Sequence, residues 1–228
     1  MKSVSDNTSI TRTLIALGVI GASTVLGACS SSGSTRSKSG ALSEIDPAIE
    51  YARRQRAEAR KHYAIATEHY NDGDHEKALE EYRKALELDD QLYAAWNNMG
   101  QLLMAQSNYA DAVNAFQIAA RIEPSDPRPL YNIGLAYQRV GWAADAFKSY
   151  EQALVRDQYY LPAMRGLARS AEMLGTGDRQ LLSTLKQAQL RETDEQWRDY
   201  FRSQYNRVET LIEEAKEEER RSAQSRGG

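Results

Sequence analysis

The sequence predicts an all-α protein in which one helical unit recurs along the chain, and three observations predict it. Five columns of residues repeat with a period of 34. Glycine and proline are few, 14 and 5 of 228, and they gather where such units would join. The C-terminal region places apolar residues every three to four positions, which is the spacing of one helix face.

The columns come first. Ala78, Ala112 and Ala146 are 34 apart, as are Ala85, Ala119 and Ala153. The aromatic series Tyr82, Phe116 and Tyr150 lies between them. Upstream, Ala66, Gly100 and Gly134 each follow an apolar residue: Ile65, Met99 and Ile133. Self-similarity at this period marks a solenoid, in which each unit buries an apolar face against the next.

The pattern resembles the tetratricopeptide repeat (TPR) family, whose unit is a helix–turn–helix of 34 residues. The resemblance implies a right-handed superhelical solenoid of antiparallel helix pairs. Its small residue lets helix A approach helix B, and its aromatic fills the space beside it. The register gives repeats at 59–92, 93–126 and 127–160. Asn71-Asp72-Gly73-Asp74 forms the first internal turn and Gly141 the third, glycine supplying the left-handed conformation that ends a helix. Ser107-Asn108 stands in the second, where Asn108 is expected to take that conformation. Pro124 closes the second repeat, and Asp90 and Gln158 hold that column in the others. A degenerate fourth repeat is expected at 161–190. It keeps Leu167-Ala168 and Gly175, but Gln180 and Thr184 replace the alanine and the aromatic.

Both flanks read as helical. Asp46-Pro47 is a helix start, with Asp as cap and Pro at the first position, so 46–58 extends the first repeat N-terminally. Thr193-Asp194-Glu195-Gln196 fits a capping box. Trp197, Phe201, Tyr205, Val208, Ile212 and Ala215 then form an apolar stripe over a helix at 193–222. A terminal helix of this kind covers the open face of the last unit, or alternatively docks or dimerises. The charged tail at 223–228 is expected to fray.

Residues 1–28 read as an export signal. Lys2 and Arg12 precede an uncharged apolar stretch, too short for an ordinary membrane span. Leu26-Gly27-Ala28-Cys29 resembles the lipobox of bacterial lipoproteins. That resemblance implies acylation of Cys29 and anchorage to the membrane, and Ser30 after it implies the outer membrane. Each buried CH₂ adds about 0.8 kcal/mol to such an anchor. Residues 29–45, including Ser30-Ser-Ser-Gly-Ser-Thr-Arg-Ser-Lys-Ser-Gly40, have the composition of a tether.

The family's concave face, lined by helix A, implies where a partner lies. Tyr63, Thr67 and Tyr70 come from the first repeat, and Asn97, Asn98 and Gln101 from the second. Arg128, Tyr131, Asn132, Gln138 and Arg139 come from the third, and Arg165 and Arg169 from the fourth. Tyr and Asn hydrogen-bond an extended backbone, and Arg pairs carboxylates. The groove is thus expected to be polar-aromatic at one end and basic at the other. One TPR subclass grips a terminal carboxylate with Lys, Asn and Arg; only Asn98 and Arg128 match it in type, with Tyr63 and Thr67 in its other columns.

Other chemistry finds little support. With 29 basic and 32 acidic residues the net charge is −3, which gives no basic excess for nucleic acid. His62 and His69 lie seven residues apart, about 10 Å along a helix, too far to share a metal. His75 adds no ligand spacing, and neither a phosphate loop nor a nucleophile motif occurs. No cofactor and no catalysis are expected. The sequence points to an envelope adaptor binding protein or peptide segments, as TPR lipoproteins of pilus and secretion assembly do. The alternatives are an adaptor of peptidoglycan hydrolases, or a structural subunit docking through its convex face and terminal helix.

Overall fold

The computed structural model describes residues 46–226, and the signal, lipobox and tether lie outside them. Among the described residues there are nine helices and no strand. They are α1 (Pro47–Asn71), α2 (His75–Leu88), α3 (Tyr93–Ala105), α4 (Tyr109–Ile122), α5 (Arg128–Arg139), α6 (Ala143–Arg156), α7 (Leu161–Leu174), α8 (Arg179–Arg191) and α9 (Glu195–Arg226). Each of α1–α2, α3–α4 and α5–α6 is a packed pair, and each pair packs on the next. The A helices α3, α5 and α7 touch in sequence along one side. This is a solenoid, with its core running lengthwise between the two rows of helices. None of these helices is long and apolar enough to cross a membrane.

The columns explain the pairing. Tyr82, Phe116 and Tyr150 are fully buried, as are the alanines of both series. A β-carbon on Gly100 would stand 2.6 Å from the Phe116 ring, and one on Gly134 2.5 Å from the Tyr150 ring. Glycine there is what lets the ring lie flat against the helix backbone. Tyr150 is gripped from the far side as well, because a β-carbon on Gly166 of α7 would meet it at 2.4 Å.

The turns repeat too. Gly73, Ser107, Gly141 and Gly175 all have positive φ (82°, 61°, 81° and 63°), and each is 34 residues from the next. The left-handed residue of the second turn is therefore Ser107, not Asn108. Asn108 has φ −84° and caps α4 by accepting from the Asp111 N–H. Asn108 is thus engaged as a side-chain cap, a bond that the equivalent Asp74 and Trp142 do not make, and Ser107 takes the left-handed position.

The C-terminal third departs from the sequence expectation in three ways. First, α8 packs chiefly on α9 and only lightly on α7, so the fourth unit is not a closed pair. Thr184 stands partly exposed where an aromatic would lie, and α8 buries Leu181, Leu185 and Ala188 instead. Second, the cap of α9 is Asp194, which accepts from the Trp197 N–H at 3.1 Å. Thr193 instead donates its N–H to Glu192. Third, α9 continues past 222 to Arg226, carried by local pairs such as Arg221–Glu217. Phe201 and Val208 of α9 are fully buried.

Candidate functional site: the concave face

The expected groove residues lie on α1, α3, α5 and α7, and a chain of hydrogen bonds joins the middle ones. Asn132 Nδ2 donates to Asn97 Oδ1 (3.4 Å), Asn97 Nδ2 to Asn98 Oδ1 (3.4 Å), and Asn98 Nδ2 to Tyr63 Oη (3.1 Å). The ladder crosses three units. Asn97 is buried by its neighbours, while Asn98 and Asn132 stay partly open. Bonds of 3.4 Å are at the weak end of the range, so these amides exchange partners at little cost.

Beneath this ladder lies the Tyr82 hydroxyl. It is fully buried and has no hydrogen-bond partner among the described residues. Burial pushes its ionisation up, and the nearby Thr67 and Asn98 side chains partly offset that. Neither reaches bonding geometry, since the Thr67 hydroxyl is turned back onto the Tyr63 carbonyl at 2.9 Å. Tyr70 is exposed at the edge and stacks on His75. Gln101 and Arg139 are exposed.

Three expected residues are occupied elsewhere. The Arg128 side chain binds Asp126 through Nε and Nη2 (2.9 and 2.6 Å) and lies over the Tyr93 ring. Burial pushes the Asp126 carboxyl up, but Arg128 and the Tyr93 hydroxyl together hold it below its ordinary value. Gln138 accepts from the Tyr150 hydroxyl, which serves the core instead of the groove. Arg165 forks onto Glu192 at 2.8 and 2.7 Å, and that carboxylate is only 1% exposed.

The expected basic end of the groove is therefore only partly covered, Arg165 being paired while Arg169 stays exposed. The guanidinium carbons of Arg165 and Arg169 lie 4.7 and 4.5 Å from the centroid of the Trp197 ring, which belongs to α9. Tyr200 and Gln204 of the same helix bind Glu172 of α7. Tyr131 packs on Tyr150 and Tyr160, forming the boundary between the open part and the covered part. Glu192 and the capping role of Trp197 within the groove were not read from sequence. Their signal is Glu192 standing two residues before the Asp194 cap, but nothing local says that it pairs with a residue 27 positions away.

His62 is half-buried and bonds Glu81 at 2.6 Å. Among the described residues, no group of three or more His, Cys, Asp and Glu is placed to hold a metal. A second concavity, of about 440 Å³, lies on the helix-B side between the first two units. Leu79, Leu86, Trp96, Met99 and Leu103 line it. One unit on, the same furrow is lined by Gln117, Arg121 and Lys148 together with Leu130, Ile133 and Tyr137.

Residues 66–107 and 100–141 match a family model described as TPR repeat, and residues 127–158 match one described as tetratricopeptide repeat. The chain thus carries tetratricopeptide repeats over 66–158. It is similar to tetratricopeptide repeat protein 37 of Xenopus laevis, 28% identical over 102 residues, 45% of this chain and 6% of that protein. It is also similar to the photosystem I assembly protein Ycf3 of Prochlorococcus marinus, 32% identical over 87 residues, 37% of this chain and 50% of that protein. The chain thus spans under a tenth of the first relative's length and half of the second's. Among solved structures, that of MamA aligns with a TM-score of 0.50 at 18% identity, covering 73% of this chain and 87% of that one. The first TPR of Spaghetti (RPAP3), bound to an HSP90 peptide, aligns with a TM-score of 0.50 at 17% identity, covering 53% and 96%. At these identities the structures share the fold.

Proposed function

We propose that this protein is a non-catalytic adaptor of the bacterial envelope, anchored through an acylated Cys29, that binds an extended segment of a partner protein in a pilus or secretion assembly. The segment lies over α1, α3 and α5. The observation that carries this reading is the loose ladder Asn132–Asn97–Asn98–Tyr63 above the unpartnered Tyr82 hydroxyl. Amide groups in a row, each holding its neighbour weakly, suit a partner whose backbone offers alternating donors and acceptors. A repeat domain of the same fold was solved with a peptide bound, which supports this use of the surface. The lipobox resemblance at Leu26–Cys29 supports the anchor.

The test places a photoreactive side chain at Gln101 of the acylated chain in cells. A discrete crosslinked partner is expected, reduced about tenfold or more when Asn98 and Asn132 are both replaced by alanine. Crosslinks that survive the double replacement would sink the groove reading. Loss of fatty-acid labelling in Cys29→Ser is expected for the anchor, and labelling that persists would refute it.

A second reading is docking through the outer furrow. The apolar lining of Leu79, Leu86 and Trp96 favours it. If Leu86→Asp abolishes the crosslinked complex while the asparagine replacements do not, this face holds the partner.

A further inference from the structure

The first twelve residues of α1, 47–58, precede the repeat and have no second helix to pack on. Ile49 and Tyr51 are 62% and 65% exposed there. Arg53, Arg56 and Arg60 are exposed as well. Ile49, Arg53, Arg56 and Arg60 are separated by four, three and four residues, which puts them in one stripe along the helix. Two further cations of α1, Arg54 and Lys61, are paired on the flanks, with Glu50 at 3.2 Å and Glu58 at 2.7 Å. The three arginines of the stripe have no acidic group within 4 Å among the described residues. A helix that pairs its flanking charges and leaves one row of arginines open presents that row to an anionic surface.

We infer that this stripe rests on anionic lipid headgroups of the membrane to which the chain is anchored. The inference builds on the reading of Cys29 as the acylated residue. Asp46 follows Cys29 by 17 residues, which span at most about 60 Å. The stripe is therefore held within reach of the bilayer at high local concentration. Each basic residue near an anionic surface contributes about fivefold to the docked population, and three contribute about a hundredfold. Ile49, at the outer end of the same stripe, adds an apolar contact at the headgroup boundary. Docking is weakened by salt, as the Debye length falls from about 10 Å at 0.1 M to 3 Å at 1 M.

The test uses the full acylated chain in vesicles. Cys29 is the only cysteine, and acylation consumes its thiol, so Ile49→Cys provides one free thiol for a fluorophore. Its quenching by bromine-labelled lipid tails is compared in pure phosphatidylcholine and in phosphatidylcholine mixed with phosphatidylglycerol. Strong quenching is expected only with phosphatidylglycerol. It should be lost in the triple Arg53→Glu, Arg56→Glu, Arg60→Glu variant and retained with lysine at all three positions. The same label at Val155, which is 82% exposed on α6, should stay unquenched throughout. Vesicle-bound protein with one labelled thiol and no effect of phosphatidylglycerol would overturn the inference while leaving the anchor intact. Protection of the Ile49 label by a poly-glutamate peptide but not by anionic vesicles would also overturn it, in favour of an acidic protein partner. A second labelled thiol, at Cys29, would overturn the anchor reading and the docking that depends on it.

Discussion

In α3–α4 and α5–α6 the gap between paired helices is filled from within the pair, by Phe116 on Gly100 and by Tyr150 on Gly134. In α7–α8 the equivalent filler would be Thr184, which is small and only partly buried. The filling comes instead from α9, whose Phe201 and Val208 are fully buried, with Val208 pressed on Gly177 so closely that a β-carbon there would stand 2.5 Å away. Losing one aromatic column thus does not simply loosen the last unit. Here α8 packs chiefly on α9, and α9 crosses α7 with Trp197 against Arg165 and Arg169. The repeat pattern and the open part of the concave face end at the same unit.

The largest effect expected from this contrast is at Tyr150. Tyr150→Ala should cost about 3–5 kcal/mol, by the loss of a fully buried aromatic, whereas Thr184→Ala should fall within about 0.5 kcal/mol. Urea unfolding of both variants measures the difference, and equal losses would refute the distinction between units. Next comes the pair that ties α7 to the α8–α9 junction. Removing one partner by Glu192→Ala leaves Arg165 without its carboxylate and should cost about 3 kcal/mol. Added exposure of Trp197 to a soluble quencher should accompany it. If Trp197 stays shielded, Glu192 does not position the cap.

Gly166→Ala should destabilise by about 1–3 kcal/mol, since the Tyr150 ring must yield to a new methyl. Calorimetry would show it, and an unchanged melting temperature would mean that the ring moves freely. A smaller gain is expected from Ser107→Gly. A non-glycine residue in the left-handed conformation costs about 1–2 kcal/mol, partly offset by the entropy of glycine, leaving a stabilisation of about 0.5–1 kcal/mol. Gly141→Ser should give the opposite sign. The smallest effect concerns acid. The Asp126 carboxyl is held below its ordinary value of 3.8, so its contribution is present above that pH and lost as pH falls through the lower folded value. Asp126→Asn should flatten the stability profile below about pH 4, and an unaltered profile would remove the Tyr93–Asp126–Arg128 cluster from the acid response.

Much of this architecture is legible in the sequence because its causes are local or strictly periodic. The Ala78, Tyr82 and Ala66 columns locate the first three helix pairs without coordinates. The turn column was nearly legible, yet competition between Ser107 and Asn108 for the left-handed position depended on which side chain was needed as a cap. The residues expected to line a groove lie on the first helix of each unit, and at the far end Arg165 and Arg169 meet partners from other elements. Arg165 and Arg169 look available in a helical projection of α7 alone. Their partners Glu192 and Trp197 come from beyond α8, and the way α8 swings is set by a filler that is missing, which no periodic pattern records. The arginine stripe of α1 was in the sequence throughout; what singled it out was seeing Arg54 and Lys61 paired and the other three not.

The unbroken course of α1 also has a mechanical meaning. At 1.5 Å per residue its 25 residues form a rod of about 37 Å, of which the first half stands clear of the repeats. A load entering at Asp46 runs down this rod into the α1–α2 pair, a terminal unit of the solenoid with a neighbouring pair on one side alone. Nearest-neighbour stacking makes that unit the first to peel under tension. Residues 46–92 would then act as a fuse, lengthening under load while α3, α5 and the asparagines on them stay in place.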